Sequence, residues 1–276
     1  MFVNVDWFFL SHRLSIAKVA IDKGVDMTVF TDFTCPHEKG EYTGFSLLQS
    51  PIRRTYVSLY SLCVEFFNTI QLIKRERPSV VHAVTIKPII LLGIVCLIFN
   101  TPFIASISGL GPGFSPTSYL GKVRLLLIKA LYKIIFSREK TRVICQSPYD
   151  AGILLDNDLV TSEKIIMAEG SGIDLEEYQP QNQIASGVIK VLMASRLLKD
   201  KGVREFCAAA SVIQEKYDFN VSFSLAGPID SYSPRSLTEE QVIEICKSAK
   251  VQFLGNRSDL QDILAKTHIF VLPSYY

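Results

Sequence analysis

The stretch ASRLLKDKG (194–202) follows an apolar run of strand formers, VIKVLM, and sets two cations, Arg196 and Lys201, around a short charged loop. Arg196 is expected just past the carboxyl end of a strand, and Lys201 at the start of the next helix. Ligands of open α/β sheets bind at the carboxyl ends of strands. A helix N-terminus adds backbone N–H groups and a positive dipole end, both of which favour phosphate. Arginine grips such an anion bidentately, and lysine acts on it as a point charge. The pair suits a diphosphate. A solvated surface turn is the alternative reading of the same residues.

Other stretches offer weaker chemistry. ISGLGPGFSP (107–116) presents Gly109 and Gly111 after a strand, where backbone N–H groups could approach a ligand. It is not a dinucleotide fingerprint, because the third glycine is misplaced and Pro112 and Pro116 prevent immediate helix entry. His12-Arg13 and Lys87 stand where strand-to-helix loops are expected, and so at the rim of the same cleft. His82, alone on an apolar strand, reads as a satisfied structural histidine. Asp156-Asn157-Asp158 forms a DxD, the pair that metal-dependent sugar transferases use, but it follows a helical run and reads as a helix end. Lys122, Arg124, Lys129, Lys133, Arg138, Lys140 and Arg142 crowd one region against Glu139 alone. Lys122, Lys129, Lys133 and Lys140 share a helical face if one helix carries them, and such a face attracts anionic headgroups. An outer face turned to water is the alternative.

Positioning these groups requires alternating strands and helices. Strands are expected at 25–30, 80–84, 103–108, 142–146 and 164–168, after a short first strand in MFVNV, with helices at about 12–23, 57–77, 87–99 and 119–136. Such alternation implies parallel sheets built from βαβ units. A polar, glycine-bearing stretch at 169–187 reads as a linker. Beyond it the pattern restarts, with strands at 188–194, 220–227, 251–255 and 268–273 and helices at 201–217, 237–248 and 258–266.

The chain has 276 residues, of which 48% are hydrophobic and 20% charged, enough to bury a core in each of two modest domains. A formal net charge of +2 does not mark a nucleic-acid binder. Six scattered cysteines without a CxxC fit a reducing cytoplasm and argue against zinc. No signal peptide is evident, and the apolar run IILLGIVCLIF (89–99) is shorter than the roughly 20 residues a membrane span needs.

Taken together, DWFFLSHRLSIA, VVHAVTIKP, ISGLGPGF, EGSGIDLEEYQP, ASRLLKDKGVREF, LAGPID and FLGNRSDLQDILAKTHIFVLPSYY resemble the family 4 retaining glycosyltransferases of the GT-B fold. Within that family they look most like bacterial enzymes that extend polyprenyl-diphosphate-linked sugars in surface polysaccharide or glycan synthesis. The resemblance implies two Rossmann-like α/β domains. Residues 1–184 would bind the acceptor, and 185–276 would form an incomplete nucleotide-sugar domain. It implies a sugar nucleotide donor, a UDP-sugar, and a lipid-linked sugar acceptor. It implies no cofactor, no metal and no nucleic acid, and a cytoplasmic location on the inner face of the membrane, with contact through 122–142.

Arg196 and Lys201 then hold the donor diphosphate and serve catalysis. Gly227, Gly109 and Gly111 lie beside the donor, and Arg13 and Lys87 meet the acceptor. Two departures stand out. Ser108 occupies a turn where many members carry His or Glu. The Glu-x7-Glu segment expected after VLPSYY is absent, which implies a truncated pattern with little turnover, or a non-catalytic remnant that keeps only the acceptor domain.

Overall fold

The structure is a computed structural model. It describes the whole chain except residues 34–43, 54–57, 111–113, 115–117, 174, 176–186, 231–232, 234 and 276. The described residues gather into two compact units, Met1–Gly172 and Ile173–Tyr276. Most of the expected linker, and Gly111, lie outside the described residues.

The first unit is a seven-stranded parallel sheet in the order β3-β2-β1-β4-β5-β6-β7. Its strands are β1 (Phe2–Val3), β2 (Met27–Thr31), β3 (Phe45–Gln49), β4 (Val81–Val84), β5 (Phe103–Ile107), β6 (Thr141–Cys145) and β7 (Ile165–Met167). The helices are α1 (Asp6–His12), α2 (Leu14–Asp22), α3 (Leu59–Glu76), α4 (Ile86–Phe99), α5 (Tyr119–Ser137) and α6 (Pro148–Asp156). α4 packs between α3 and α5 as well as on the sheet, which explains why it is apolar on nearly every side. Its starting signal is weak, whereas α3 opens on a Ser58/Ser61 capping box and α6 on Ser147 followed by Pro148.

The second unit is a four-stranded parallel sheet in the order β10-β9-β8-β11. Its strands are β8 (Ile189–Ala194), β9 (Val221–Ala226), β10 (Gln252–Gly255) and β11 (Ile269–Phe270), with helices α7 (Val203–Lys216), α8 (Glu239–Ser248) and α9 (Leu260–Ala265). Its core joins Val191, Met193, Phe223 and Leu225 of the sheet to Val203, Phe206 and Cys207 of α7 and to Val242 and Cys246 of α8.

Three expectations are corrected. β3 was not foreseen; it is an edge strand with no buried residue, so its alternation is faint. The first helix begins at Asp6 rather than near residue 12, and Arg13 sits in the break between α1 and α2, at φ −129 and ψ −11. Finally, α5 stops at Ser137, so Lys140 does not share its face with Lys122, Lys129 and Lys133.

Candidate functional site

In the second unit the ends of β8, β9 and β10 converge on a pocket of about 150 Å³, lined by Ser195, Gly227, Pro228, Asn256, Arg257 and Leu260 among others. Its geometry depends on Gly227. The glycine has φ +148, and a Cβ there would stand 1.8 Å from the Ser195 carbonyl oxygen. Only a residue without a side chain lets these two strand ends meet. The Gly227 N–H donates to the Gly255 carbonyl at 2.8 Å and so ties in the third strand end.

Arg196 directly follows the pocket-lining Ser195. Its side chain is 44% exposed, and its Nη1 lies 3.4 Å from an Asp230 carboxylate oxygen. That contact is long and partly solvated, so it holds the guanidinium weakly. Lys201 closes the 3-10 turn Lys199–Lys201, directly before Gly202 and α7. A Cβ on Gly202, at φ +77, would stand 2.2 Å from the Pro273 carbonyl oxygen, so glycine is required here too. The loop is braced by Arg235, which pairs with Asp200 at 2.8 Å. Gly227 thus lines the pocket, Arg196 adjoins it, and Lys201 stands at the neighbouring helix start without lining it. A larger cavity in this unit, about 480 Å³, is walled almost entirely by apolar side chains of α7, β8, β9 and β11 and lacks groups suited to an anion.

In the first unit the carboxyl ends of β4 and β5 frame a pocket of about 320 Å³, lined by Asn4, Phe8, Thr85, Lys87, Ser108 and Gly109 among others. α4 begins here, so the positive end of its dipole lies beside the pocket. Lys87 lines it, but its ammonium is engaged by Glu65 at 2.7 Å and by the Arg53 carbonyl at 2.7 Å. Arg13 is only 3% exposed. It donates to Ser108 Oγ at 2.9 Å and to Ser171 Oγ at 3.5 Å, and it stacks over Phe8. Burial lowers its pKa from the ordinary arginine value. It therefore reaches the pocket through Ser108 and Phe8. His82 shares a 2.7 Å hydrogen bond with Ser106 and is held neutral, its pKa lowered to about 3 by burial first, then by the amino terminus and Arg13.

Several contributors were not singled out from the sequence. Asn256 and Arg257 follow the end of β10 as Ser195 and Arg196 follow β8, a strand-then-polar-loop pattern that was legible. Thr85 adopts φ +75 and ψ 161, a region that costs a β-branched residue on the order of 1–3 kcal/mol, and no sequence signal announces it. Asp150 accepts the Leu110 N–H at 2.9 Å and the Ser147 hydroxyl at 2.7 Å, fixing the chain just after Gly109. Among the described residues no group of three or more His, Cys, Asp and Glu could hold a metal ion. Asp156 ends α6, and Asp158 lies beyond it in a left-handed turn.

Comparison with known proteins adds two family matches. Residues 1–147 match the model described as glycosyl transferase 4-like, and residues 189–276 the model described as glycosyl transferases group 1. A curated relative is the N,N'-diacetylbacillosaminyl-diphospho-undecaprenol alpha-1,3-N-acetylgalactosaminyltransferase of Campylobacter jejuni. It is 28% identical over 183 residues, 62% of this chain and 46% of that protein. The chain thus spans about half the length of this relative.

Solved structures with a similar fold include sucrose-phosphate synthase from Thermosynechococcus elongatus, with TM-score 0.72 and 17% identity, covering 99% of this chain and 73% of that one. Another is HepE of Anabaena in complex with UDP and glucose, with TM-score 0.67 and 15% identity, covering 99% and 73%. At these identities the likeness concerns the fold alone.

Proposed function

The chain belongs to the glycosyl transferase 4-like family, with its two-unit GT-B fold, and on that footing we propose that it moves a hexose or N-acetylhexosamine from UDP to a lipid-linked glycan with retention of configuration. The observation that carries this reading is the closure of Gly227 on Ser195, which builds an anion-sized pocket between two strand ends and next to Arg196. The lipid-linked acceptor is favoured by the relative whose name specifies a diphospho-undecaprenol sugar, and UDP by HepE, whose structure holds UDP.

In this mechanism Arg196 leaves its weak contact with Asp230 for the donor diphosphate, and Lys201 adds a point charge at the start of α7. The bond between the anomeric carbon and the diphosphate oxygen breaks, and a bond to the acceptor oxygen forms on the same face. The acceptor's proton passes to the departing phosphate. Negative charge grows on the diphosphate as it leaves, so cations beside it lower the barrier most at that point. Lys87 adds charge at the acceptor's diphosphate, and Arg13 orients Ser108. Among the described residues no helix is long and apolar enough to cross a membrane. Independently of this, Lys122, Lys129 and Lys133 of α5 support a place at the inner membrane surface in the service of bacterial surface glycan synthesis.

The test is transfer of labelled sugar from a UDP-sugar into a solvent-extractable lipid-linked product. Labelling should need the UDP-sugar and the lipid-linked acceptor together. Labelling by other nucleotide sugars alone, or of water-soluble acceptors alone, would overturn the reading.

A further inference from the structure

Among the described residues Arg13 is the one arginine or lysine that is buried, at 3% exposed. Its guanidinium meets only neutral groups. Nη2 donates to Ser108 Oγ at 2.9 Å, Nη1 donates to Ser171 Oγ at 3.5 Å and to the His12 carbonyl at 3.3 Å, and Nε has no partner. Buried charges are ordinarily paired, because an uncompensated one is costly to keep out of water. The described residues offer Arg13 no carboxylate.

The side chains around it are donors too. Gln146 Nε2 donates to Ser171 Oγ at 3.1 Å, so Gln146 and Arg13 together fill the lone pairs of that oxygen. Ser108 Oγ accepts from Arg13, which leaves its own O–H to point away from the guanidinium. Ser108 lines the pocket of about 320 Å³ at the ends of β4 and β5, together with Thr85, Ile86 and Lys87 at the start of α4. Thr85 gives that helix no side-chain cap, and the N–H groups of Ile86 and Lys87 have no intrahelical acceptor. Hydroxyl and amide donors therefore converge on one space, with an unneutralised guanidinium behind them. Such a set suits an anionic oxygen.

The charge balance sets the class of anion. Lys87 and Glu65 pair at 2.7 Å and cancel one another, so the single uncompensated charge is that of Arg13. A carboxylate balances one charge, whereas a dianionic phosphate monoester leaves an excess. Phe8 lines the same pocket and stacks on His12 with ring centroids 4.5 Å apart, which makes it a firm apolar wall for the carbons of a sugar ring. We propose that this pocket binds a carboxylated sugar, a uronic acid, whose carboxylate accepts from the Ser108 hydroxyl that Arg13 holds in place. Ser108 is then the binding residue and Arg13 the positioning residue behind it. This rests on the proposed role of the first unit in holding a glycan acceptor and deepens it by naming an acidic sugar within that glycan.

The test is titration of the full chain with methyl glucuronide, methyl glucoside and inorganic phosphate, read by saturation-transfer NMR. Methyl glucuronide should bind at least about tenfold more tightly than methyl glucoside, the scale of one charge-assisted hydrogen bond. Ser108→Ala should erase that preference with glucoside binding and circular dichroism unchanged, and Ser108→Thr should retain it. Arg13→Gln should erase it as well, and if that variant fails to fold the two Ser108 variants decide alone. Equal binding of the two glycosides by wild type, or an undiminished preference in Ser108→Ala, would overturn the proposal. Tighter binding of inorganic phosphate, lost in Ser108→Ala, would overturn it in favour of a phosphate site. Transfer to a lipid-linked acceptor by a chain that ignores methyl glucuronide would sink this inference and leave the transferase reading standing. Glucuronide binding without transfer would do the reverse.

Discussion

The Gly227 backbone is pressed against the Ser195 carbonyl so closely that a Cβ would stand 1.8 Å from the oxygen. Gly227→Ala must push the ends of β8 and β9 apart. The expected cost is about 2–4 kcal/mol from overpacking and backbone strain, together with a loss of UDP binding. Ser195→Ala leaves the carbonyl in place and should cost little. Thermal unfolding and UDP titration of both variants check this, and a Gly227→Ala variant with wild-type stability would contradict the geometry.

Lys87 and Glu65 form an ion pair at 2.7 Å, with side chains 19% and 7% exposed. Removing one partner strands the other, so Lys87→Met should destabilise the first unit by about 3 kcal/mol. Lys87→Met/Glu65→Leu should recover most of that loss. If Lys87 also serves the acceptor, the double variant will be stable yet poor in transfer. Full recovery of transfer with stability would limit Lys87 to a structural part.

His82 sets a pH dependence whose sign follows from its pKa, lowered from 6.5 to about 3. Above pH 6.5 the imidazole is neutral in both states and contributes nothing. Below it the unfolded chain takes up a proton that the folded chain refuses, so stability falls as pH drops toward about 3. The slope from this one group is at most about 1.4 kcal/mol per pH unit. His82→Gln should flatten unfolding curves between these pH values. An imidazole NMR titration midpoint near the ordinary value would contradict the burial argument.

The pattern that placed β4, β5, β6, β8 and β9 was legible because each lies in a sheet interior and so keeps apolar residues at its buried and half-buried positions, in runs such as Val191–Met193 or in alternation as at Val221, Phe223 and Leu225. β3 was not, since an exposed edge strand is free to carry polar residues such as Ser46 and Gln49. Asp6 reads as a turn residue in isolation. In the fold it is 1% exposed and is the first residue of α1, where its negative charge suits the positive end of the helix dipole and its carboxylate accepts the Trp7 N–H at 2.8 Å.

The site divides along the same line. Arg196 and Lys201 follow from local order, a strand end and a helix start. The partners that define their surroundings, Asp230 beside Arg196 and Arg235 on Asp200, come from another loop and are set only by tertiary approach. Arg13 looked like a rim cation because arginine is rarely buried. Its burial depends on Ser108 and Ser171, which no local pattern connects to it.

The central claim is that Arg196 and Lys201 hold a nucleotide diphosphate beside the Gly227 pocket, and calorimetric titration of UDP into the chain tests it most directly. Wild type should bind UDP. Arg196→Ala and Lys201→Ala should each weaken binding by about 1.5–3 kcal/mol, roughly ten- to 150-fold, the scale of a charge-assisted hydrogen bond. EDTA should leave all three affinities unchanged. Wild-type affinity in both single variants would contradict the account.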